Sequence, residues 1–249
     1  MTATPSNAHD RFDGAVLAGL DEPVRRYFTH ALSDGAALGR GARLGLIGTI
    51  KVGVWLRFDS VWEGDGRCFS WRASCGPGPL RALRVHDRFA DGVGLMDIRL
   101  RPPLRRLPAL KLLHVENDDA ARSGAGRAAL EALWVPGALL PDRGVTWRAE
   151  SDELIVAAWD VPPERPQLHI SIGPDGAVTS YHAQRWSDGR SGYLLFGADV
   201  HAERTFAGAT IPSRFTAGWG HGTPSWAPFF RGEVVAVEPI DSTSPSDGR

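Results

Sequence analysis

The sequence predicts a mainly β protein in which a strongly curved antiparallel sheet forms an open, half-barrel structure. Apolar and polar residues alternate with period two from Leu44 to Leu100 and again from Val145 to Val237, as expected for strands with one buried face. Helix signals occur at only two places, near the N-terminus and in the middle of the chain. About a dozen strands in series, with two helices packed on them, favour one curved sheet.

The first regular element is predicted to be a helix over residues 23–32. Asp21 or Glu22 can cap it, and Pro23 suits the first turn because its missing N–H would have no partner there. One side of this helix is apolar and is expected to pack on the sheet; it carries Leu20, Val24, Phe28, Ala31 and Leu32.

Residues 44–100 are expected to form about five strands, judged from the spacing of turn signals at 64–66, 76–79 and 91–94. The strand at 54–63 illustrates the pattern. Its apolar face carries Val54, Leu56, Phe58 and Trp62, whereas its other face carries Trp55, Arg57, Asp59 and Glu63. Such a strand has one buried side and one side that is wet or functional.

Residues 101–141 interrupt the alternation and separate two halves of the predicted sheet. A helix is predicted from Gly126 to Trp134, ending before Pro136 because the residue preceding a proline disfavours helical geometry. The hairpin turn at 173–176, Gly-Pro-Asp-Gly, is the clearest turn signal in the chain. The strands of the second half are predicted at 145–150, 154–159, 167–172, 177–186, 199–206, 210–219 and 232–237.

Residues 14–240 are therefore predicted to form a single half-barrel domain. The segments 1–13 and 241–249 have compositions typical of disordered ends. With 28 basic and 29 acidic side chains the net charge is -1, so no global field attracts nucleic acid or an anionic membrane. Neither is predicted as a partner, and binding of a polyanion would need a local patch.

The first 19 residues lack a basic region followed by an apolar one, and no later stretch approaches the roughly 20 apolar residues that span a bilayer. These observations predict a cytoplasmic protein. Cys68 and Cys75 are too far apart in sequence for a typical pair of metal ligands and lack further Cys or His partners at suitable spacing. Two reduced thiols, no metal and no cofactor are expected.

Four segments resemble an uncharacterised family of soluble bacterial proteins. They are LDEPVRRYF at 20–28, HDRFADGVG at 86–94, LEALWVPGALLP at 130–141 and FFRGEVVAVE at 229–238. The resemblance implies the half-barrel fold of periplasmic lipoprotein carriers, with helices in the concavity of the sheet, a fold that also hosts a cofactor-independent enzyme of pigment biosynthesis. The chain departs from the family in having no acidic lead-in to the central helix, which here reads ARSGAGRAA. It also lacks the secretory signal of a periplasmic carrier.

The polar faces of the predicted strands are rich in arginine and histidine. One interpretation is a ladder of ion pairs on the outer face, each worth about 0.2–1 kcal/mol. The other places these side chains on the concave side, where arginine would bind the acidic group of an amphipathic ligand. The side chains concerned are Arg57, Asp59, Arg72, His86, Arg88, Arg148, Glu150, Tyr181, Arg185, His201, Glu203 and Arg214.

Glu131 and His86 are the candidate catalytic residues. Glu131 lies in an otherwise apolar turn, so a helix that fills the half-barrel would desolvate it and raise its pKa unless an arginine meets it. A salt bridge from helix to sheet is the structural alternative. His86 stands beside Arg88 on a polar face and is suited to acid or base work near neutral pH.

Nine tryptophans in 249 residues, against roughly three at average usage, supply large amphipathic rings. We expect a hydrophobic or aromatic, acidic small molecule to bind between the sheet and the central helix. Two alternatives are a cofactor-independent cyclase, isomerase or lyase that uses acid or base catalysis, and a partner-binding domain with exposed tryptophans. The predicted ligand-binding residues are Trp62, Trp71, Arg72, Arg88, Trp134, Tyr181, Arg185, Trp186 and Trp219.

Overall fold

A computed structural model of the chain describes residues 11–77, 81–101 and 109–240. In these ranges, thirteen antiparallel strands form one continuous sheet that does not close into a barrel. The order across the sheet is β6-β5-β4-β3-β2-β1-β13-β12-β11-β10-β9-β8-β7. The strands are β1 Gly41–Val52, β2 Val54–Gly64, β3 Phe69–Gly76, β4 Leu83–Ala90, β5 Val93–Leu100, β6 Leu110–Glu116, β7 Thr146–Ala149, β8 Leu154–Ala158, β9 Gln167–Ile172, β10 Val178–Ser187, β11 Gly192–Phe206, β12 Ala209–Trp219 and β13 Ala227–Ile240. The predicted fold class is confirmed.

The sheet consists of two meanders joined at a central seam. Strands β1 to β6 follow one another from the centre of the sheet to one edge, and β7 to β13 follow one another from the opposite edge back to the centre. Both halves therefore advance across the sheet in the same direction, and they meet where β1 pairs with β13. This pairing extends from Gly41 opposite Ile240 to Ile50 opposite Phe230. The segment between β6 and β7 leaves one edge of the sheet and reaches the other, and on its way it crosses the concave face.

The first half contains the five predicted strands and one that was not predicted. β6 was missed because Leu110–Glu116 has a run of apolar residues without clear alternation and follows a proline-rich stretch. The two faces of β2 are as predicted, since Phe58 and Trp62 are buried, at 1% and 0% exposure, whereas Trp55 on the other face is 37% exposed.

Helix α1 spans Glu22–Ala31, within one residue of the prediction at either end. Pro23 occupies its first turn, and the rings of Tyr27 and Phe28 pack on Trp147 of β7, with centroid distances of 5.7 and 5.2 Å. These contacts hold α1 against the second half of the sheet.

Helix α2 spans Asp118–Glu131, so it begins earlier than the predicted Gly126. Asn117 caps it by accepting a hydrogen bond from the backbone N–H of Ala120 (2.8 Å), and Asp118 and Asp119 in the first turn complement the helix dipole. The predicted end of the helix is replaced by short 3-10 turns at Ala132–Trp134 and Pro136–Leu139.

Small residues allow α2 to lie close to the strands. Gly94 of β5 faces the backbone of Ala120, where an added Cβ would lie 2.2 Å from the carbonyl oxygen. Gly124 faces Phe89 of β4, and a Cβ there would lie 2.9 Å from the ring. Helix α2 therefore packs directly on the concave side of the sheet, and a cavity remains between helix and sheet along only part of the helix.

The disorder predicted for residues 1–13 and 241–249 lies outside the described residues except at 11–13, where the structure shows ordered contacts instead. At the edge of that range, Phe12 is buried at 5% exposure, and its N–H donates to the carbonyl of Ala36 (2.8 Å). No helix in the described part of the chain is long and apolar enough to cross a membrane.

Candidate functional site

A cavity of about 390 Å³ lies between the concave face of the sheet and α2. Its walls are aliphatic and aromatic side chains from both halves of the sheet, and four charged side chains stand at the helix end. The apolar lining includes Ile50, Trp71, Val85, Met96, Ile98, Leu130, Trp134, Phe196, Phe215, Phe229 and Phe230, and the charged residues are Asp87, Arg127, Glu131 and Arg185.

Arg127 is the centre of a buried charge network at this end of the cavity. Its Nε donates to Glu131 Oε1 (2.7 Å), one turn further along α2, and its Nη1 donates to Asp87 of β4. The three side chains are 12–15% exposed. Trp62 Nε1 donates to the second oxygen of Glu131, Oε2, at 2.7 Å. Both oxygens of Glu131 are therefore engaged by donors.

The pKa values within this network follow from burial and charge. Burial raises the pKa of Glu131, and Arg127 partly offsets this rise through its charge and its hydrogen bond. Burial alone would lower the pKa of Arg127, but Glu131 and Asp87 outweigh it and hold that pKa above its ordinary value. Glu131 is thus buried and also paired, but its partner Arg127 lies on the same helix, and the salt bridge from helix to sheet is the one that Arg127 forms with Asp87 of β4.

Arg185 of β10 differs from Arg127 in having no ion pair with any carboxylate of the described residues. Its Nε and Nη2 donate to the carbonyl and hydroxyl of Ser123 on α2, at 3.0 and 3.1 Å. The guanidinium carbon lies 4.9 Å from the ring centre of Phe196 and 5.4 Å from that of Trp219. Burial, followed by the charge of Arg127, lowers its pKa to about 10, so it is a cation at neutral pH.

Seven of the predicted site residues lie in or directly behind this cavity. Trp71, Glu131, Trp134, Tyr181 and Arg185 line it. Trp62 is fully buried behind Trp134, with ring centres 5.2 Å apart, and Trp219 packs edge-on against Phe196 at 5.0 Å.

Three predicted residues lie on the opposite face of the sheet. Asp87 and Trp71 point into the cavity, and because side chains alternate along a strand, Arg72, His86 and Arg88 point outward. His86 lies beside Ser70, with Nε2 and Oγ 3.2 Å apart. Burial and the charges of Arg72 and Arg88 lower the pKa of His86. The structure therefore does not bring His86 and Glu131 together.

Trp186 lines a separate cavity of about 650 Å³, next to the outward-facing side chains of β9, β10 and β11. The guanidinium of Arg122 stacks on it, with the carbon 3.8 Å from the ring centre, and also binds Glu164 and the hydroxyl of Tyr193. His169 and His182 stack in the same cavity with ring centres 4.9 Å apart. Trp186 is thus separated from the other predicted tryptophans.

Sequence reasoning missed Asp87 and Arg127. Both neighbours of Asp87, His86 and Arg88, are also polar, so alternation alone did not show which of the three faces inward. Arg127 lies within the predicted helix, four residues before Glu131, which is the spacing at which opposite charges on a helix meet. That spacing was the available signal.

Within the described ranges, no group of three or more His, Cys, Asp or Glu side chains is arranged to hold a metal ion. All nine tryptophans are described, and only Trp55 is exposed by more than about a third. The expectation of a surface patch of tryptophans for a protein partner therefore has little to support it.

A model of a family of unknown function, DUF6920, matches residues 18–238. No curated protein matches the chain. Among solved structures, a DUF1329 family protein from Desulfovibrio piger has a TM-score of 0.44 and 8% identity, covering 81% of this chain and 86% of that one. A LolA superfamily protein from Nitrosomonas europaea has a TM-score of 0.45 and 8% identity, covering 88% and 93%.

The family match confirms the predicted resemblance to an uncharacterised family. The predicted cytoplasmic location does not stand, and no location is assigned to the chain. That prediction rested on what the first residues of the sequence lack, which does not determine where a protein is located.

Proposed function

We propose a function from the geometry of the cavity, because the chain belongs to DUF6920, a family whose function is unknown. The chain binds an amphipathic small molecule, with its hydrophobic or aromatic body between the sheet and α2 and its acidic group on Arg185. The observation that carries this proposal is a charged guanidinium in an apolar cavity without a carboxylate partner among the described residues.

The apolar part of the proposal rests on the walls of the cavity. A volume of about 390 Å³ lies within the range of about 300–1,000 Å³ of small-molecule sites, and such sites combine apolar walls with a few polar groups. Rings from four strands, Trp71, Phe196, Phe215 and Phe230, give the cavity flat rigid surfaces suited to an acyl chain or an aromatic ring.

The acidic part rests on the contrast between the two cavity arginines. The charge of Arg127 is balanced by Asp87 and Glu131, whereas the partners of Arg185 within the described ranges are the two neutral oxygens of Ser123. A cation in a poorly solvated site is stabilised by an anion, and the planar fork of arginine matches a carboxylate or phosphate group. A ligand with such a group would supply the anionic partner that the described residues do not give to Arg185.

The test is a titration of tryptophan fluorescence with dodecanoate and with dodecanol, a pair that differs only in the acidic group. Trp71 and Trp134 line the cavity and report on its occupation. A hydrogen bond to a charged group contributes about 1.5–3 kcal/mol, so dodecanoate should bind roughly 10- to 100-fold more tightly. An aromatic pair, naphthoate and naphthalene methanol, extends the test to ring-shaped ligands.

Arg185→Gln should abolish the preference for the acid while the alcohol still binds. Arg122→Gln is the matched control, because Arg122 also stacks on a tryptophan but lines the other cavity. Equal affinities of the wild-type protein for acid and alcohol, or an unchanged preference in Arg185→Gln, would contradict the proposal.

The alternative of a cofactor-independent cyclase, isomerase or lyase has weaker support. Glu131 lines the cavity, and burial raises its pKa, as a proton-transferring carboxyl requires. However, Trp62 and Arg127 occupy both of its oxygens, and His86 points away from it. Binding without turnover is the function that this arrangement favours.

A further inference from the structure

The ends of six strands form one rim of the first half of the sheet. These ends are Val52 of β1, Val54 of β2, Gly76 of β3, Leu83 of β4, Leu100 of β5 and Leu110 of β6. Because neighbouring strands are antiparallel, these ends lie along the same side of the sheet. The cavity lining reaches this rim through Val52, Leu83, Leu112 and Leu113. The rim is therefore the mouth of the cavity.

Exposed aliphatic side chains are concentrated at this mouth. Among the described residues, eleven large hydrophobic side chains are exposed, and six of them are aliphatic residues of the rim. Their exposures are 56% for Val52, 66% for Val54, 38% for Leu100, 60% for Leu110, 52% for Leu112 and 40% for Leu113. An apolar surface of this kind, continuous with a cavity, is typical of an interaction site.

Basic side chains accompany these aliphatic residues. Lys51 and Lys111 are the two lysines of the chain, and each stands between aliphatic neighbours on a rim strand. Arg101 follows directly after β5. All three are exposed, and none forms an ion pair with a carboxylate of the part of the chain that the structure describes. The rim thus combines apolar contact area with uncompensated positive charge.

We propose that this rim docks on the surface of a bilayer that contains anionic phospholipid. Aliphatic side chains enter the interfacial region, and the long lysine stems follow them while the ammonium groups meet the phosphates. A protein partner fits less well, because lysine is depleted in protein interfaces, whereas lysine with leucine and valine is typical of membrane-surface segments. The net charge of -1 does not oppose this docking, since the patch is local.

This proposal goes beyond the binding of a small molecule in the cavity. Docking of the mouth on a lipid surface would give an amphiphile a direct route between the bilayer and the cavity. The two proposals are tested separately, because docking is measured with vesicles alone and cavity binding with a soluble ligand in their absence.

The experiment is co-sedimentation of the full chain with vesicles of phosphatidylcholine and with vesicles in which about a third of the lipid is phosphatidylglycerol. We expect binding to the anionic vesicles that weakens as salt is raised. Each lysine near an anionic surface contributes about 1 kcal/mol, so Lys51→Glu with Lys111→Glu should lower the partition coefficient by at least about tenfold.

The matched control is Arg40→Glu with Arg204→Glu, which makes the same change of charge at exposed positions. Arg40 lies just before the start of β1 and Arg204 near the end of β11, on the side of the sheet opposite the rim. This variant should bind as the wild type does. Leu110→Ser with Leu112→Ser should also lose binding without any change of charge. The proposal is overturned if the wild type binds neither kind of vesicle, if it binds both equally, or if the lysine variant and the control behave alike.

Discussion

Replacing Arg127 with methionine tests how the charge network supports the cavity. Methionine keeps an unbranched apolar stem near Phe69 and removes the cation that joins Asp87 to Glu131. The two carboxylates, 13% and 12% exposed, then remain in a poorly solvated position. Glu131 retains one described donor, the indole N–H of Trp62.

Removing one partner of a buried ion pair costs about 3–5 kcal/mol. In a protein of this size, about 1 kcal/mol corresponds to a change of about 2–4 °C in Tm, so Arg127→Met should lower Tm by about 6–20 °C near neutral pH. The loss should depend on pH. Without Arg127 the pKa of Glu131 lies further above the ordinary value of 4.5. A carboxyl whose pKa is higher in the folded state destabilises above that pKa and is neutral in its effect below the unfolded value.

The deficit of Arg127→Met should therefore be large at pH 8 and should shrink as the pH falls toward about 4.5. Thermal unfolding followed by circular dichroism at several pH values measures it. Adding Glu131→Gln should recover part of the loss, because the stranded charge is removed. Arg122→Met, which breaks the more exposed pair with Glu164, should lower Tm much less than Arg127→Met does. A deficit below about 1 kcal/mol at pH 8, or one that does not change with pH, would refute this account of the network.

Three further predictions concern packing, thiol reactivity and acid stability. Gly94→Ala should lower the free energy of unfolding, measured in urea, by about 3 kcal/mol, because the added Cβ would lie 2.2 Å from the Ala120 carbonyl oxygen. Gly189→Ala is the control and should be nearly neutral, because an added Cβ there has nothing within 4 Å; equal losses would argue against the close approach of α2. Burial raises the pKa of Cys75 to about 11, so iodoacetamide at pH 8 should alkylate Cys68 first, and mass spectrometry would show the reverse order if this is wrong. Burial, followed by the charges of His169 and His221, lowers the pKa of His182 to about 4, so stability should be lost as the pH falls from about 6.5 toward 4. His182→Gln should flatten the Tm profile in that window, and an unchanged profile would exclude His182 as its cause.

The period of the hydrophobic pattern made most of the fold predictable. Strands such as β2 and β9 have one buried and one wet face, so alternation and turn residues located them within a few positions. The pattern did not predict β6, because its residues Leu110, Leu112 and Leu113 lie on an edge strand at the mouth of the cavity and are exposed. They depart from the rule that apolar residues mark a buried face. The same exposure is what makes that strand a candidate for function.

The candidate site was predictable only in part, because alternation gives the two faces of a strand without saying which is concave. Where one face of a strand is plainly apolar, as around Trp71, that face can be assigned to the concave side of the sheet. In β4 the run from His86 to Arg88 is polar throughout, and only the packing of α2 selects Asp87 as the residue that faces the helix. Arg185 was identified from its residue type, but its lack of an acidic partner depends on contacts between distant parts of the chain.

The seam between β1 and β13 has a consequence for how the molecule is made. Gly41 and Ile240 are hydrogen-bonded neighbours across the sheet, yet almost the whole described chain separates them. During synthesis, one side of β1 therefore remains an unpaired sheet edge until β13, the last strand, has left the ribosome. Strands β1 to β6 then expose unpaired backbone groups for most of the synthesis of the chain. Pairing over such a long loop is intrinsically slow, so the nascent chain is most prone to aggregation just before completion, when a chaperone would help most.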